Sequence, residues 1–216
     1  MKPLIPFTNI NPEAFHYDLP ESRIAMHPEA ERDQSKLLIA RPGESIFHDQ
    51  FKNIAQFLPE KCSLFFNNSR VIPARLLFKK QTGSQIEIFC LRPVDPSEYA
   101  LNMAAVKTCT WECMIGNLKR FNIPVIEKAF SLNQKLVTLK AERLSTSGNT
   151  AFIRFSWDND DLCFADILTI GGKIPLPPYI KREADETDRE RYQTIFSKEK
   201  GSVAAPTAGL HFTEDV

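Results

Sequence analysis

The residues best suited to chemistry lie in one stretch of small side chains, GSVAAPTAGLHFTE, from Gly201 to Glu214. Gly, Ala and Ser let the backbone approach a ligand closely, and the stretch then presents His211, whose ordinary pKa lies near neutrality. Thr213 is a predicted helix N-cap, and the N–H groups at a helix start suit a carboxylate or phosphate. A flexible linker is the alternative, which Pro206 and Phe212 disfavour. The stretch therefore predicts a ligand-binding loop.

A second group of polar residues follows the apolar run SLFF at 63–66, which predicts a buried strand. The polar residues from Asn67 to Arg70 stand where this strand would end, a common place for binding groups, although an Asx turn is the alternative. Arg70 and Arg75 flank the sequence VIPA and are suited to hold a carboxylate or phosphate. An ion pair within the protein is the other interpretation of these two arginines.

A third candidate is the proline-rich segment KIPLPPYIKR at 173–182, which can form neither a helix nor a central strand. Its Tyr179 can stack on a base, and Lys181 and Arg182 can hold an RNA backbone. His27, Arg32 and Asp33 stand in the proline-rich, irregular residues 1–35 and are interpreted singly as turn residues.

The pattern of elements predicts two kinds of domain. A strand at 36–41 and a helix at 48–58 come first, and helices at 158–172 and 186–196 come last. The Gly171–Gly172 pair is the C-terminal signal of the helix at 158–172. Between them, six β-like runs predict a small antiparallel barrel or sandwich: RVIPARLLFKK, SQIEIFCLR, YALNMAAVK, TWECMIG, KLVTLKAER and TAFIRFSW. The fold class is therefore multidomain α/β plus all-β. A discontinuous α/β domain (1–72 and 156–216) is interrupted by an inserted small antiparallel β-barrel (73–155), whose basic residues include Lys119 and Arg120 and suit either solvent or RNA.

Composition excludes several classes of protein. With 43% hydrophobic and 25% charged residues, the 216-residue chain is globular, and its 27 basic and 27 acidic residues give zero net charge, so any nucleic-acid surface is local. The five cysteines include no CxxC pair, which favours reduced thiols and no metal site. The sequence shows no signal peptide and no membrane span, which predicts a cytoplasmic protein.

The chain stops at GLHFTEDV, just after a predicted helix start, and is expected to be a fragment.

Several motifs, in order along most of the 216 residues, resemble one family. They are FHYDLP, the region from IAMHP to ERDQSKLL, FFNNSRVIPARL, TGSQIEIFCLRP, GGKIPLPPYIKR, DRERYQTIFS and GSVAAPTAGLHFTE, and they are similar to those of the S-adenosylmethionine:tRNA ribosyltransferase-isomerase family. The resemblance implies an α/β domain with an inserted β-barrel, which agrees with the partition above.

The chain departs from the family pattern at three places. Asn68 and Ser69 stand where the family usually has Asp-Thr, so the carboxylate is absent. Gly116 to Leu118 replace a basic-Pro-Gly/Ala sequence, although the paired basic residues after it are kept. The family also continues beyond HFTE with a glycine-rich segment that holds its own His, Thr and Phe.

The resemblance implies transfer of the ribosyl part of S-adenosylmethionine to 7-aminomethyl-7-deazaguanine at the tRNA wobble position. Isomerisation then gives epoxyqueuosine, with adenine and methionine released. S-adenosylmethionine would be the co-substrate, no metal would be needed, and a monomer would act on the tRNA anticodon loop. A non-catalytic tRNA-binding module and a methyltransferase-like protein remain alternatives, although no strand-linked GxG loop supports the latter.

The same resemblance implies roles for particular residues. His211 would be the catalytic acid or base, its alternative being a packing or capping histidine. The remaining assignments are Thr207, Ala208, Gly209, Thr213 and Arg75 for S-adenosylmethionine, and Arg70, Tyr179, Lys181, Arg182, Lys119 and Arg120 for the tRNA substrate.

Overall fold

A computed structural model describes residues 11–116, 118–132, 135–177 and 179–216. The predicted irregular residues 1–10, the Asn117 position and Pro178 lie outside the described residues. The strands in chain order are β1 (Lys36–Ile39), β2 (Phe47–Gln50), β3 (Ser69–Val71), β4 (Arg75–Lys79), β5 (Gln85–Asp95), β6 (Thr108–Gly116), β7 (Val125–Leu132), β8 (Lys135–Ser147), β9 (Thr150–Trp157), β10 (Gly172–Lys173) and β11 (Glu199–Ser202). The α-helices are α1 (Tyr99–Met103), α2 (Phe164–Gly171) and α3 (Asp188–Arg191), and the 3-10 turns are Pro12–Phe15, Glu21–Arg23, Arg32–Gln34, Phe51–Phe57, Leu118–Arg120 and Thr207–His211.

The largest element is a seven-stranded antiparallel sheet in the order β10-β4-β5-β6-β9-β8-β7. The alternation predicted for β5 is confirmed, because Ile86, Ile88 and Cys90 are all fully buried on one face. The sheet curls so that Phe130 of edge strand β7 reaches Gly171, beside Leu76 of β4. The chain is thus mostly sheet, curled around one apolar core.

Helix α2 covers this core. Its Phe164 is fully buried and packs on Trp111, Phe155 and Trp157 at ring-centroid distances of 5.6, 5.2 and 5.9 Å. The helix predicted at 158–172 is confirmed over its second half. Its N-cap is Cys163 in a capping box with Asp166, rather than the acidic residues at 158–161.

One predicted strand of the sheet is wrong, and one strand was missed. YALNMAAVK contains the helix α1, because the buried Asn102 amide accepts from Trp111 Nε1 at 2.6 Å and donates to the carbonyl of Pro96 at 2.7 Å. In this helix the polar side chain of Asn102 is buried in the core with its hydrogen bonds satisfied. Strand β7 has a polar sequence, VIEKAFSL, that alternates weakly, and it was not predicted.

The parts outside the sheet also differ from the prediction. The proposed helix at 48–58 is wrong in its first residues, which form β2 antiparallel to β1, and the remainder is the 3-10 turn Phe51–Phe57. The buried strand predicted at 63–66 is wrong, since Phe65 is 95% exposed and β3 begins only at Ser69. Strand β3 pairs in parallel with β11. The helix predicted at 186–196 is confirmed only as α3, and no described helix is long and apolar enough to cross a membrane.

Gly172 links α2 to β10 at a close backbone crossing. The Gly171–Gly172 pair predicted to end the helix is confirmed, since α2 ends at Gly171 and its C-cap Gly172 has extended backbone with a φ of −94°. A Cβ atom there would lie 2.0 Å from the carbonyl oxygen of Pro73 and 2.6 Å from that of Leu168, and both contacts are backbone atoms. The backbone packing at residue 172 therefore leaves no room for any side chain, and only glycine fits.

We expect Gly172→Ala to lower the free energy of unfolding by about 3 kcal/mol, because the added methyl group forces backbone apart. Urea unfolding followed by circular dichroism measures the change. Gly171→Ala is the matched control, since its Cβ would meet only side-chain atoms, of Phe130 at 3.4 Å and Leu76 at 3.8 Å, and alanine suits a helix better than glycine. Equal stability of the two variants would contradict the close-crossing argument.

Candidate functional site

A cleft of about 510 Å³ lies where the proline-rich segment, the end of α3 and the turn Thr207–His211 meet residues 23–36. Its volume is within the usual range for small-molecule sites. Among its described lining residues there are four permanent cations and one carboxylate, so its charge suits an anionic ligand. The charged and aromatic lining residues are Arg23, His27, Glu29, Arg32, Lys36, Tyr179, Arg191, Tyr192 and His211.

Arg32 holds three segments of the cleft together. Its Nη1 donates to the carbonyls of Gln193 at 2.6 Å and Leu210 at 3.1 Å, and its Nη2 donates to the carbonyl of Glu190 at 2.6 Å. Burial, with the nearby Arg191 cation, lowers the pKa of Arg32, while Glu190 opposes this. The interpretation of Arg32 as a turn residue missed this role.

Two further side chains fix the cleft walls. Arg191 donates to the carbonyl of Ala30 at 3.0 Å and to that of Glu29. The Gln193 amide bridges both backbone groups of Val71, accepting from its N–H at 2.9 Å and donating to its carbonyl at 2.8 Å. Residues 29 and 30 are therefore tied to the last residue of α3, and strand β3 is tied to Gln193 just after it.

His211 is half-buried at the wall of this cleft. Its Nδ1 lies 3.1 Å from Ser35 Oγ, and its ring lies 5.3 Å from that of Phe51. Burial lowers the pKa of His211, and the cations Arg32 and Arg191 lower it further. The imidazole is therefore neutral at pH 7, which is the form that accepts a proton.

We expect Arg191→Gln to raise the pKa of His211, because the substitution removes one of the two cations that disfavour the imidazolium. A histidine NMR titration measures this pKa directly. Arg189→Gln on the same helix is the control, since Arg189 faces Glu186 at 3.4 Å and does not contribute to the His211 shift. An unchanged His211 pKa in Arg191→Gln would contradict the electrostatic explanation.

The small-residue stretch divides between two cavities. Thr207 lines both the basic cleft and a neighbouring apolar cavity of about 490 Å³, whereas Ala208 and Gly209 line only the apolar cavity. Thr213 Oγ1 donates to Asp33 Oδ2 at 3.1 Å and accepts from the N–H of Val216 at 3.3 Å. The latter is an N-cap type of bond, but residues 214–216 form no helix.

The other predicted site residues occupy different places. Tyr179 lines the cleft and is 52% exposed. Arg70 lines two other cavities, of about 280 and 230 Å³. Arg75 lies in β4 with its Nε 3.2 Å from Glu87, and Lys181 is paired with Glu21. Lys119 and Arg120 lie in the turn Leu118–Arg120, and like Arg75 and Lys181 they are outside the lining of the cleft.

Arg182 makes its contacts inside the protein. Its two terminal nitrogens each donate to Asp188 at 2.7 Å, and its Nε donates to the carbonyl of Met26 at 2.7 Å. The Asp188 side chain is 1% exposed and that of Arg182 is 14% exposed. Hydrogen bonds from Arg182 to Asp188 raise the pKa of Arg182. Arg182 therefore positions the Met26 wall of the cleft.

The described cysteines and acidic residues are the groups on which thiol or metal chemistry would depend. All five cysteines are free, and burial raises the pKa of Cys109 and Cys113, which keeps them as inert thiols. Across the described ranges, no group of three or more His, Cys, Asp and Glu side chains is arranged to hold a metal ion.

The protein combines a curled antiparallel sheet with a separate cleft that is lined by more basic than acidic side chains. The sequence model of a family described as "Queuosine biosynthesis protein" matches residues 12–216. The chain belongs to this family.

Curated relatives carry one name, "S-adenosylmethionine:tRNA ribosyltransferase-isomerase". The protein of Cytophaga hutchinsonii is 37% identical over 204 residues, which is 94% of this chain and 55% of that protein. Those of Syntrophotalea carbinolica and Aquifex aeolicus are 39% and 38% identical over 205 residues each, again 94% of this chain, and 54% and 55% of the relatives. The chain spans about half the length of the curated relatives it matches.

Proposed function

We propose that this chain takes part in the reaction named by its relatives, with S-adenosylmethionine as co-substrate and tRNA as acceptor. The observation that carries the proposal is the position of His211 at the wall of a basic cleft of about 510 Å³, where burial and two cations lower its pKa. The ribosyl part is transferred to the aminomethyl group of 7-aminomethyl-7-deazaguanine at the wobble position. Isomerisation gives epoxyqueuosine, and adenine and methionine leave.

The chemistry needs one group that accepts a proton and one that donates a proton. The sulfonium acidifies the adjacent ribose 5′ C–H, so a base must lie near that carbon, while adenine leaves better when it is protonated. His211 supplies one of these two functions. Thr207 and Tyr179 contact the nucleoside, and the carboxylate of the methionyl part faces the cleft cations, among them Arg23 and Lys36.

Other residues are assigned by their positions. Ala208, Gly209 and Thr213 shape the loop that presents His211. Arg70, Lys119, Arg120 and Lys181 contact the tRNA backbone, for which their exposure suits them. We assign Arg75 and Arg182 to structural ion pairs.

We also propose the finer domain organisation. Most of the curled sheet belongs to the inserted barrel domain, residues 73–155, and residues 1–72 and 156–216 form the discontinuous α/β domain around the cleft, which adds the edge strand β10 to the sheet. The parallel pairing of β3 with β11, one strand from each part, supports this partition. The protein acts as a cytoplasmic monomer on the splayed bases of the anticodon loop.

The test is incubation with S-adenosylmethionine and an anticodon stem-loop that carries 7-aminomethyl-7-deazaguanine. We expect free adenine and free methionine, with a matching mass increase of the modified nucleoside. A stem-loop with guanine at the wobble position is the control and should give neither product. Formation of S-adenosylhomocysteine would indicate methyl transfer instead, and stem-loop binding without adenine would indicate a non-catalytic tRNA-binding module.

A further inference from the structure

The hydroxyl of Ser35 has two neighbours that settle where its hydrogen lies. Ser35 Oγ is 2.8 Å from the carbonyl oxygen of Arg32 and 3.1 Å from Nδ1 of His211. A carbonyl oxygen can only accept, so the shorter contact is satisfied only when the hydroxyl hydrogen points at Arg32. The single hydrogen of the hydroxyl is then used.

The remaining contact of Ser35 determines the tautomer of His211. With its hydrogen on the Arg32 carbonyl, Ser35 Oγ offers a lone pair to Nδ1, and a favourable contact requires that Nδ1 carry the proton. In the neutral ring the proton is then absent from Nε2, on the opposite side of the imidazole from Ser35. The ring of Phe51, 5.3 Å away, packs against the imidazole in this orientation.

The surrounding charges act on the same ring. Arg32 and Arg191 disfavour the imidazolium, and the Arg32 guanidinium already donates to three carbonyls. The other charged or titratable groups on the cleft wall or on adjoining residues are Arg23, His27, Glu29, Asp33, Lys36, Tyr179 and Tyr192, and Asp33 accepts from Thr213. A neutral ring with a bare Nε2 can accept a proton but cannot donate one from that atom.

We propose that Ser35 is a positioning residue that holds His211 as the Nδ1–H tautomer, so that His211 acts through Nε2 as the base. Its proton comes from the ribose 5′ C–H of the bound S-adenosylmethionine, and the electron pair of that bond stays on the carbon. His211 then becomes an imidazolium with both nitrogens protonated, still hydrogen-bonded to Ser35. The identity of the proton donor rests on the proposed function, whereas the tautomer does not. Protonation of adenine falls to another group.

The decisive experiment is long-range ¹H–¹⁵N NMR of the histidine side chains in this 216-residue chain at pH 8. The sequence holds four histidines, and comparison with His211→Gln assigns the signal of interest. We expect a protonated Nδ1 and an unprotonated Nε2 for His211, and a mixture of both tautomers in Ser35→Ala. The reverse tautomer in the wild type, or an unchanged Nδ1–H pattern in Ser35→Ala, would overturn the proposal.

Two variants separate positioning from folding. Ser35→Thr keeps the hydroxyl and should keep the tautomer, so it tests the proposal even where Ser35→Ala folds poorly; loss of the Nδ1–H tautomer in folded Ser35→Thr would count against it. Ser202→Ala removes a hydroxyl bonded to a carbonyl at 2.6 Å near the same loop without contact to His211, and it should leave the His211 spectrum unchanged.

Adenine release provides the functional readout. Ser35→Ala should lower kcat roughly tenfold or more with little change in KM, because ring orientation matters to proton transfer and not to substrate affinity. An unchanged kcat would overturn the role of Ser35 in positioning His211 for the reaction. Absence of adenine release from the wild type would count against the proposed function and leave the tautomer result standing.

Discussion

His211→Gln is expected to reduce the rate of adenine release by a factor on the order of 10² to 10⁴, the usual contribution of a positioned acid or base. Glutamine has similar size and can keep a hydrogen bond to Ser35, but its amide cannot accept a proton near neutral pH. Single-turnover assays with S-adenosylmethionine and the modified stem-loop measure the loss. Affinity for S-adenosylmethionine should change far less than the rate.

The pH profile provides a second measure of the same group. Because burial and two cations lower the pKa of His211, the wild-type rate should fall on the acid side only below the ordinary range for histidine. His48→Gln is the matched control, since His48 is exposed on β2. A normal rate in His211→Gln, or equal losses in both variants, would remove His211 from the mechanism.

Arg182→Ala is expected to lower the free energy of unfolding by about 3–5 kcal/mol, the usual cost of breaking a buried ion pair by removing one partner. The substitution leaves Asp188 charged at 1% side-chain exposure, with the N–H of Asp185 at 2.8 Å as its remaining donor. It also removes the hydrogen bond that Arg182 Nε donates to the carbonyl of Met26 in the cleft wall. Urea unfolding gives the stability change, and titration with S-adenosylmethionine gives the loss of affinity.

The neighbouring Lys181 provides the control for this prediction. Lys181 also pairs with a carboxylate, Glu21, but the two side chains are 64% and 73% exposed. Solvent weakens such a pair, so Lys181→Ala should leave the unfolding midpoint unchanged. Similar midpoints for Arg182→Ala and Lys181→Ala would show that the Asp188 pair adds no stability.

The sequence predicted the parts of the fold that depend on local patterns. Strand β5 alternates cleanly, and its apolar side chains Ile86 and Ile88 are buried as expected. The apolar segment around Asn102 resembles a strand by composition, but in the helix the Asn102 side chain bonds to Trp111 and to the carbonyl of Pro96. Phe65 shows the opposite case, because its apolar run predicts burial and no described element covers it.

The candidate site was predictable only in part. His211 was found because its loop has a distinctive composition and one titratable group. Arg32, Ser35 and Arg191 were not assigned to the site, because their partners lie far away in sequence. Arg32 reaches the carbonyl of Glu190 across 158 residues, and Ser35 reaches His211 across 176. Nothing in the local sequence of a turn indicates such partners.

The parallel pairing of β3 with β11 has a consequence for the order of folding. All strands of the curled sheet lie between residues 75 and 173, so its core can assemble from one contiguous stretch of polypeptide. Strand β3, although synthesised earlier, has no strand partner until residues 199–202 emerge from the ribosome. Because closing so long a loop is entropically costly unless the intervening chain is already compact, the sheet should form first and bring the two halves of the cleft together.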